Sequence, residues 1–186
     1  MLLTLARHGE TQENIDNIIQ GQLPGSLTDN GVRQAVELGE LLKDEHFDAI
    51  ISSDLSRCTD TAEYVRLHHP GVYFAFSEEL RERGFGDYEG RKGKDVDWGL
   101  YGESFYTAKP GGGESVQDLA NRVRRYINKL LSARKDQKVL LITHGGPMMV
   151  VKSAIESVSL EEVYRSRVEA CAVWHYEIES PLKLID

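Results

Sequence analysis

Two arginines and two histidines each stand shortly after a largely apolar, strand-like run of the sequence. They are Arg7 and His8 after residues 2–6, Arg57 after residues 48–51, and His144 after residues 138–142. A neutral histidine can attack an electrophile, and arginine presents a planar fork of donors that matches phosphate or carboxylate oxygens. Ligands of open parallel sheets bind outside the carboxyl ends of the strands, so we expect these side chains at one crevice. Their chemistry predicts an anion site with a nucleophile.

The elements that position these residues are indicated by the spacing of apolar side chains. Further strands are predicted at residues 72–76 and 170–178, and helices at residues 28–43, 54–67 and 115–133 and from Gly145 onward. Short continuous apolar runs favour buried strands, whereas recurrence at three and four residues favours helices. Arg57 therefore falls in the first turn of a helix, where free backbone N–H groups and the helix dipole favour an anion.

A polar segment, residues 12–26, follows the first strand and is predicted to be a loop over the strand ends. Its turn residues are Gly21, Pro24 and Gly25. Asn14 and Gln20 could hydrogen-bond a bound anion without adding charge. From the residue types alone, solvent-exposed amides remain the simpler interpretation.

Length, charge and cysteine content narrow the class of protein. A chain of 186 residues fits one domain. Its formal net charge of -8 argues against a nucleic-acid partner, which would require a basic face. No run reaches the roughly 18 apolar residues that span a bilayer, and no charged leader begins the sequence, so we expect a cytoplasmic protein without membrane contact. Cys58 and Cys171 lack a metal-type spacing and are interpreted as buried free thiols.

The order and spacing of these motifs resemble the histidine phosphatase superfamily, in its phosphoglycerate-mutase-like branch. The matching segments are residues 7–11, Asn14, residues 20–21, 27–28, Gly31, residues 34–35, 52–57, 80–82, Gly86, residues 89–90, 112–115 and 143–145. The resemblance implies a three-layer α/β/α sandwich with a mostly parallel central sheet. It also implies a single domain over residues 1–186 with a lid or specificity excursion at residues 84–113.

The same resemblance implies a role for each site residue. His8 is expected to be the nucleophile and Glu82 the acid that protonates the leaving oxygen, because an alkoxide leaves phosphorus poorly without a proton. The remaining expected contacts to the phosphoryl group are Arg7, Arg57, His144, Asn14, Gln20, Gly21 and the backbone N–H of Gly145. Neither a metal ion nor a cofactor is expected.

The expected activity is metal-independent hydrolysis of a small-molecule phosphate ester. The alternative is a 2,3-bisphosphoglycerate-dependent phosphoglycerate mutase. Such mutases carry a longer excursion, and an aromatic hydroxyl where this chain has Phe85, so both departures favour hydrolysis. A non-catalytic phosphate-binding module is a third reading, but binding alone would not require Glu82. The sequence leaves the natural substrate and the oligomeric state open.

Overall fold

The structure, a computed structural model, describes residues 1–99 and 104–185. Its strands are β1 Leu2–Arg7, β2 Ala49–Ser52, β3 Tyr73–Phe76, β4 Lys138–Thr143 and β5 Val173–Glu177. Its helices are α1 Gln12–Ile15, α2 Asp29–Leu42, α3 Ser56–Arg66, α4 Val116–Ala133, α5 Gly145–Glu156 and α6 Leu160–Val163. Short 3-10 turns lie at Glu78–Leu80, Gly86–Tyr88, Gly93–Asp95 and Pro110–Gly112. No helix among the described residues is long and apolar enough to cross a membrane.

The strands form one five-stranded sheet in the order β3-β2-β4-β1-β5. β1, β2, β3 and β4 are parallel, and β5 pairs antiparallel with β1. The predicted α/β fold with a mostly parallel sheet is confirmed. In this register Arg7 lies opposite Thr143, and the His8 backbone N–H donates to the Thr143 carbonyl at 3.0 Å. The residues that follow β1 and β4 therefore meet at the same edge of the sheet.

Apolar side chains cover both faces of the sheet and create the layers. Alternate residues of β4 point to opposite faces, as the strand period requires. Val139 and Leu141 pack in a cluster with α4 and α5, whereas Leu140 and Ile142 pack in a second cluster with α2 and α3. The sheet is therefore the middle of three layers. The two apolar clusters pack against its opposite faces and fix the positions of the strand ends next to the site.

The segment predicted to be a loop over residues 12–26 contains a short helix, so that prediction is wrong at α1. Thr11 caps the helix: its hydroxyl accepts from the Asn14 backbone N–H, and the Asn14 side chain accepts from the Thr11 backbone N–H. This reciprocal pair is a capping box. The threonine and asparagine three residues apart were a local signal for this helix. The turn residues Gly21, Pro24 and Gly25 instead led to the prediction of a loop.

The described part of the excursion at residues 84–113 lies against this segment, while residues 100–103 of the excursion lie outside the described residues. Ile19 donates to the Arg91 carbonyl at 2.9 Å and accepts from the Gly90 N–H at 2.8 Å. The Glu89 carboxylate accepts from the backbone N–H groups of Gln22 and Phe85. The two segments are thus joined by backbone and side-chain hydrogen bonds above the carboxyl ends of the strands.

Candidate active site

His8 lies directly after β1 with its imidazole buried. Its Nδ1 is 2.7 Å from the Gly9 carbonyl oxygen. Because a carbonyl oxygen only accepts, Nδ1 carries the proton in this hydrogen bond and Nε2 carries the lone pair. Burial lowers the pKa of His8 well below its usual range, and the charges of Arg7 and Arg57 lower it further. A neutral ring with an unprotonated Nε2 is the form that a nucleophilic histidine requires.

Arg57 stands in the first turn of α3 and is only 1% exposed. Its guanidinium donates to the backbone carbonyls of Gly21, Leu23 and Pro24, and its Nε donates to His144 Nδ1 at 3.2 Å. Burial lowers the pKa of Arg57. The side chain therefore brings positive charge to the site and fixes the loop at residues 21–24 beside it.

His144 lies immediately before α5, fully buried, with its ring centroid 5.1 Å from that of His8. Since Nδ1 accepts from Arg57, Nε2 is the protonated nitrogen, and it is 2.9 Å from Ser53 Oγ. Burial lowers the pKa of His144 well below its usual range. Both ring nitrogens thus bond to the protein, and donation to a phosphoryl oxygen requires Nε2 to exchange its Ser53 partner.

The thiol of Cys58 packs against this histidine, with Sγ 3.3 Å from His144 Nε2. Cys58 is fully buried, and burial raises the pKa of its thiol, so it is held in the protonated, unreactive form. Cys171 is half-buried and also free, and burial raises its pKa to about 12. These findings agree with two free thiols that pack rather than react, although Cys171 is less buried than expected.

Arg7 ends β1 and directs its guanidinium to the site. Its Nη1 donates to the Val168 carbonyl, while its buried Nε has no hydrogen-bond partner among the described residues. Burial is the largest cause of the lowered pKa of Arg7. Buried donors are almost always satisfied in folded proteins, so this unpaired N–H is consistent with the anion contact predicted for Arg7.

Glu82 follows the 3-10 turn at Glu78–Leu80 and turns its carboxylate toward the start of α5. One carboxylate oxygen accepts from the Arg83 N–H at 2.9 Å, and the other accepts from the Gly146 N–H at 3.2 Å. A Cβ at Gly146 would overlap the Glu82 carboxylate. Sequence reasoning missed Gly146 as a site residue, although a glycine pair at a helix start was a visible signal.

Arg122 of α4 holds the backbone that carries Glu82. Its Nη1 donates to the carbonyls of Glu79 and Arg81 at 2.8 Å and 3.0 Å, and its Nη2 donates to the Glu82 carbonyl at 3.2 Å. The same guanidinium makes two 2.8 Å hydrogen bonds to the Glu114 carboxylate. One side chain therefore fixes the path of the chain into the predicted acid.

A cavity of about 330 Å³ lies among these groups. The predicted site residues that line it are Arg7, His8, Asn14, Gln20, Gly21, Arg57, Glu82 and Gly145. His144 is placed behind His8 rather than in the lining. The wall residues that sequence reasoning did not assign are Ile18, Ile19, Arg83, Phe85, Trp98, Gly146, Met149, Tyr164, Arg167 and Val168. Phe85 and Trp98 belong to the excursion that was expected to carry specificity.

The two predicted amides at the cavity differ in what they offer an anion. Asn14 uses its amide oxygen in the capping box, which leaves its amide nitrogen as a donor. Gln20 donates its amide nitrogen to Thr11 Oγ1 at 2.9 Å, and its buried amide oxygen has no partner among the described residues. An anion contact from Gln20 therefore requires rotation of its amide group.

The sequence is similar to one protein family along nearly its whole length. Residues 3–183 match the histidine phosphatase superfamily (branch 1). The chain belongs to this superfamily. The resemblance identified from the sequence motifs is thereby confirmed.

Relatives of this histidine phosphatase include phosphatases and mutases. The adenosylcobalamin/alpha-ribazole phosphatase of Escherichia coli (strain K12) is 31% identical over 185 residues, which cover 96% of this chain and 86% of that protein. A 2,3-bisphosphoglycerate-dependent phosphoglycerate mutase of Parvibaculum lavamentivorans is 31% identical over 191 residues, covering 96% and 90%. The crystal structure of the alpha-ribazole phosphatase from Shigella flexneri is 30% identical with a TM-score of 0.86, covering 100% of this chain and 96% of that chain. The chain is therefore an enzyme of the phosphatase type.

Proposed function

We propose that this histidine phosphatase hydrolyses a phosphomonoester of a small metabolite through a phosphohistidine on His8. The observation that carries the proposal is the state of His8: a buried, neutral imidazole whose Nε2 holds the lone pair, beside two guanidinium groups at a cavity. Phosphoryl transfer spreads negative charge over three equatorial oxygens, and catalysis consists mainly of positioning and charge neutralisation. Arg7 and Arg57 supply positive charge here from the chain itself, without a metal ion.

The proposed reaction has two steps that use Glu82 in opposite directions. In the first, His8 Nε2 attacks phosphorus, the bond between phosphorus and the ester oxygen breaks, and protonated Glu82 gives its proton to the leaving alkoxide. In the second, water attacks the phosphohistidine while the Glu82 carboxylate accepts its proton. The phosphorus–nitrogen bond breaks, inorganic phosphate leaves, and His8 and Glu82 return to their starting forms.

The excursion at residues 84–113 is assigned the specificity role in this proposal. Phe85 and Trp98 line the cavity and contact each other edge to face, with ring centroids 6.0 Å apart. The Trp98 indole N–H donates to the Gly93 carbonyl at 2.9 Å, so the ring has a fixed orientation. In this proposal, these side chains contact the organic part of the ester rather than the phosphoryl group.

The decisive experiment compares p-nitrophenyl phosphate hydrolysis by the wild type, His8→Ala and His46→Ala. We expect His8→Ala to lose at least about 10³-fold in kcat because the nucleophile is absent. His46 is exposed and outside the cavity, so its variant controls for the loss of a histidine and should retain activity. Equal rates for the wild type and His8→Ala would contradict the proposal.

Mutase activity is the second candidate, since the chain is 31% identical to a phosphoglycerate mutase. A mutase must keep its phosphohistidine from water until an acceptor hydroxyl takes the phosphoryl group. Supplying 3-phosphoglycerate with a trace of 2,3-bisphosphoglycerate separates the two activities. We expect release of inorganic phosphate, and fast isomerisation without release would favour the mutase.

A further inference from the structure

Arg167 lies on the segment that follows α6, is exposed, and lines the cavity that holds His8. Its guanidinium makes no hydrogen bond or ion pair with any residue that the structure describes. The side chain also borders an adjoining cavity of about 360 Å³, which it shares with Arg7 and Asn14. Arg167 therefore stands at the mouth of the site with all of its donors available.

The other arginines of the cavity wall are held by the protein. Arg57 donates to three backbone carbonyls of residues 21–24, and Arg7 donates to the Val168 carbonyl. Arg83 donates to the Glu114 and Ala108 carbonyls at 2.8 Å and 3.0 Å. Each of these guanidinium groups therefore uses some of its donors in hydrogen bonds to the protein, whereas the Arg167 guanidinium bonds to none of the described residues.

The charge around the cavity is opposite to that of the chain. The chain has a formal net charge of -8, yet Glu82 is the single acidic residue among the described residues of the lining. The charge of Arg167 adds to burial in lowering the pKa of Arg7, so the two cations repel each other across the site. A bound anion relieves that repulsion.

Arg57 and Arg167 lie at different depths of the cavity and can therefore contact different parts of a bound ester. His8 is 3% exposed and Arg57 is 1% exposed, so the nucleophile and its neighbouring cation form the floor of the cavity. An ester whose phosphorus meets His8 must extend its organic part toward the mouth, where Arg167 stands. A second anionic group on that organic part would meet a free, planar fork of donors.

We propose that Arg167 determines specificity by binding a second anionic group, a carboxylate or a further phosphate, on the organic part of the substrate. The inference rests on the proposed function, since it concerns the same cavity. It narrows the substrate class from phosphomonoesters in general to those with a second negative charge.

The test measures phosphate release from two matched pairs of esters. Phosphoserine and phosphoethanolamine differ by a carboxylate, and fructose 1,6-bisphosphate and fructose 6-phosphate differ by a second phosphate. Variants are Arg167→Gln, Arg167→Lys and the control Arg165→Gln, which removes an exposed arginine of the same segment that does not line the cavity. The responding pair identifies the chemistry of the second anion.

We expect the wild type to prefer the doubly anionic member of one pair. Arg167→Gln should lower kcat/KM for that member by about 10- to 100-fold, the range for a hydrogen bond between charged groups. The kcat/KM of Arg167→Gln for the singly anionic partner should change by less than about twofold. Arg167→Lys should lose less than Arg167→Gln on the doubly anionic member because lysine keeps the charge. The control Arg165→Gln should leave kcat/KM for both members unchanged.

Three results would overturn the inference. Equal losses on both members of a pair would place Arg167 on the transferred phosphoryl group. No loss on any ester, or no wild-type preference in either pair, would show that no second anion is recognised. Absence of wild-type activity on all four esters and on p-nitrophenyl phosphate would instead refute the proposed function itself.

Discussion

Glu82 accepts hydrogen bonds from two backbone N–H groups, of Arg83 and Gly146, and thereby points at the cavity that His8 lines. Its proposed role, protonation of the leaving oxygen, matters most when that oxygen is a poor leaving group. An alkyl ester such as phosphoethanolamine leaves an unstable alkoxide, whereas p-nitrophenolate leaves without a proton. Loss of the Glu82 carboxyl group should therefore slow hydrolysis of the alkyl ester more than hydrolysis of p-nitrophenyl phosphate.

We expect Glu82→Gln to lower kcat/KM for phosphoethanolamine by about 10²- to 10⁴-fold, the usual contribution of general acid catalysis. The loss for p-nitrophenyl phosphate should be at least about tenfold smaller, as measured by initial rates on each ester. Glu79→Gln removes an exposed carboxyl from the same segment and serves as the control. Equal losses on the two esters would refute the acid role.

The buried imidazoles of His8 and His144 make stability depend on pH. Burial lowers the pKa of each in the native state, so below about pH 6.5 the unfolded chain binds protons that the native protein does not. The free energy of unfolding should therefore fall on acidification by about 1.4 kcal/mol per pH unit for each histidine, until the lowered native pKa is reached. His8→Asn should show a smaller fall.

Urea unfolding of the wild type and His8→Asn at pH 7 and pH 5.5 measures this difference. The same loss of free energy in both proteins would mean that His8 is protonated in the native state as readily as in the unfolded chain.

Single residues were predictable from the sequence where they follow a strand. Arg7 and His8 line the cavity because they stand at the carboxyl end of β1, next to which the cavity lies. Tyr164 and Arg167 were not predicted, because they follow α6, a helix of four residues without a readable period. Their position depends on long-range contact, such as the Val168 carbonyl that accepts from Arg7.

At the scale of elements, α4 contributes Arg122, which does not line the cavity but donates to the backbone carbonyl of Glu82, which does. Arg122 donates hydrogen bonds to three backbone carbonyls of the segment at residues 79–82 and to the Glu114 carboxylate. Removing the guanidinium takes the protein donor from these acceptors. Water can replace it at the exposed Glu79 carbonyl, whereas a single buried acceptor that stays unsatisfied costs about 1–3 kcal/mol. The segment is then free to shift.

We expect Arg122→Gln to lower the free energy of unfolding by about 1–3 kcal/mol and kcat by at least about tenfold, since small misplacements of catalytic groups are costly. Thermal unfolding and initial rates measure the two effects. Arg125→Gln, an exposed position of the same helix, is the matched control. Loss of stability with unchanged kcat would show that Arg122 supports the fold without positioning Glu82.

The sequence indicated most elements but not how the last strand is oriented. Apolar residues predicted a strand at residues 170–178, whereas β5 occupies only Val173–Glu177. Its antiparallel pairing with β1 had no local signal, because strand direction depends on where the chain re-enters the sheet. α1 was missed for a different reason, since its four residues carry no apolar stripe.

At the scale of the whole molecule, the two apolar clusters meet in a single sheet, so they should unfold together. Leu140 and Leu141 are adjacent in β4 and face opposite clusters. We expect Leu140→Ala and Leu141→Ala each to destabilise the protein by about 2–5 kcal/mol and to shift one common transition. Circular dichroism and tryptophan fluorescence, followed in parallel during urea unfolding, test this; separate transitions would contradict a single domain.

β1 lies in the sheet between β4 and β5, the last two strands of the described chain. During synthesis on a ribosome, this N-terminal strand leaves the exit tunnel long before either of its neighbours exists. His8 therefore meets His144 and its surroundings only after the second half of the chain has emerged. A nascent chain stalled before β4 should show no phosphatase activity, and the apolar β1 should be a binding site for chaperones until then.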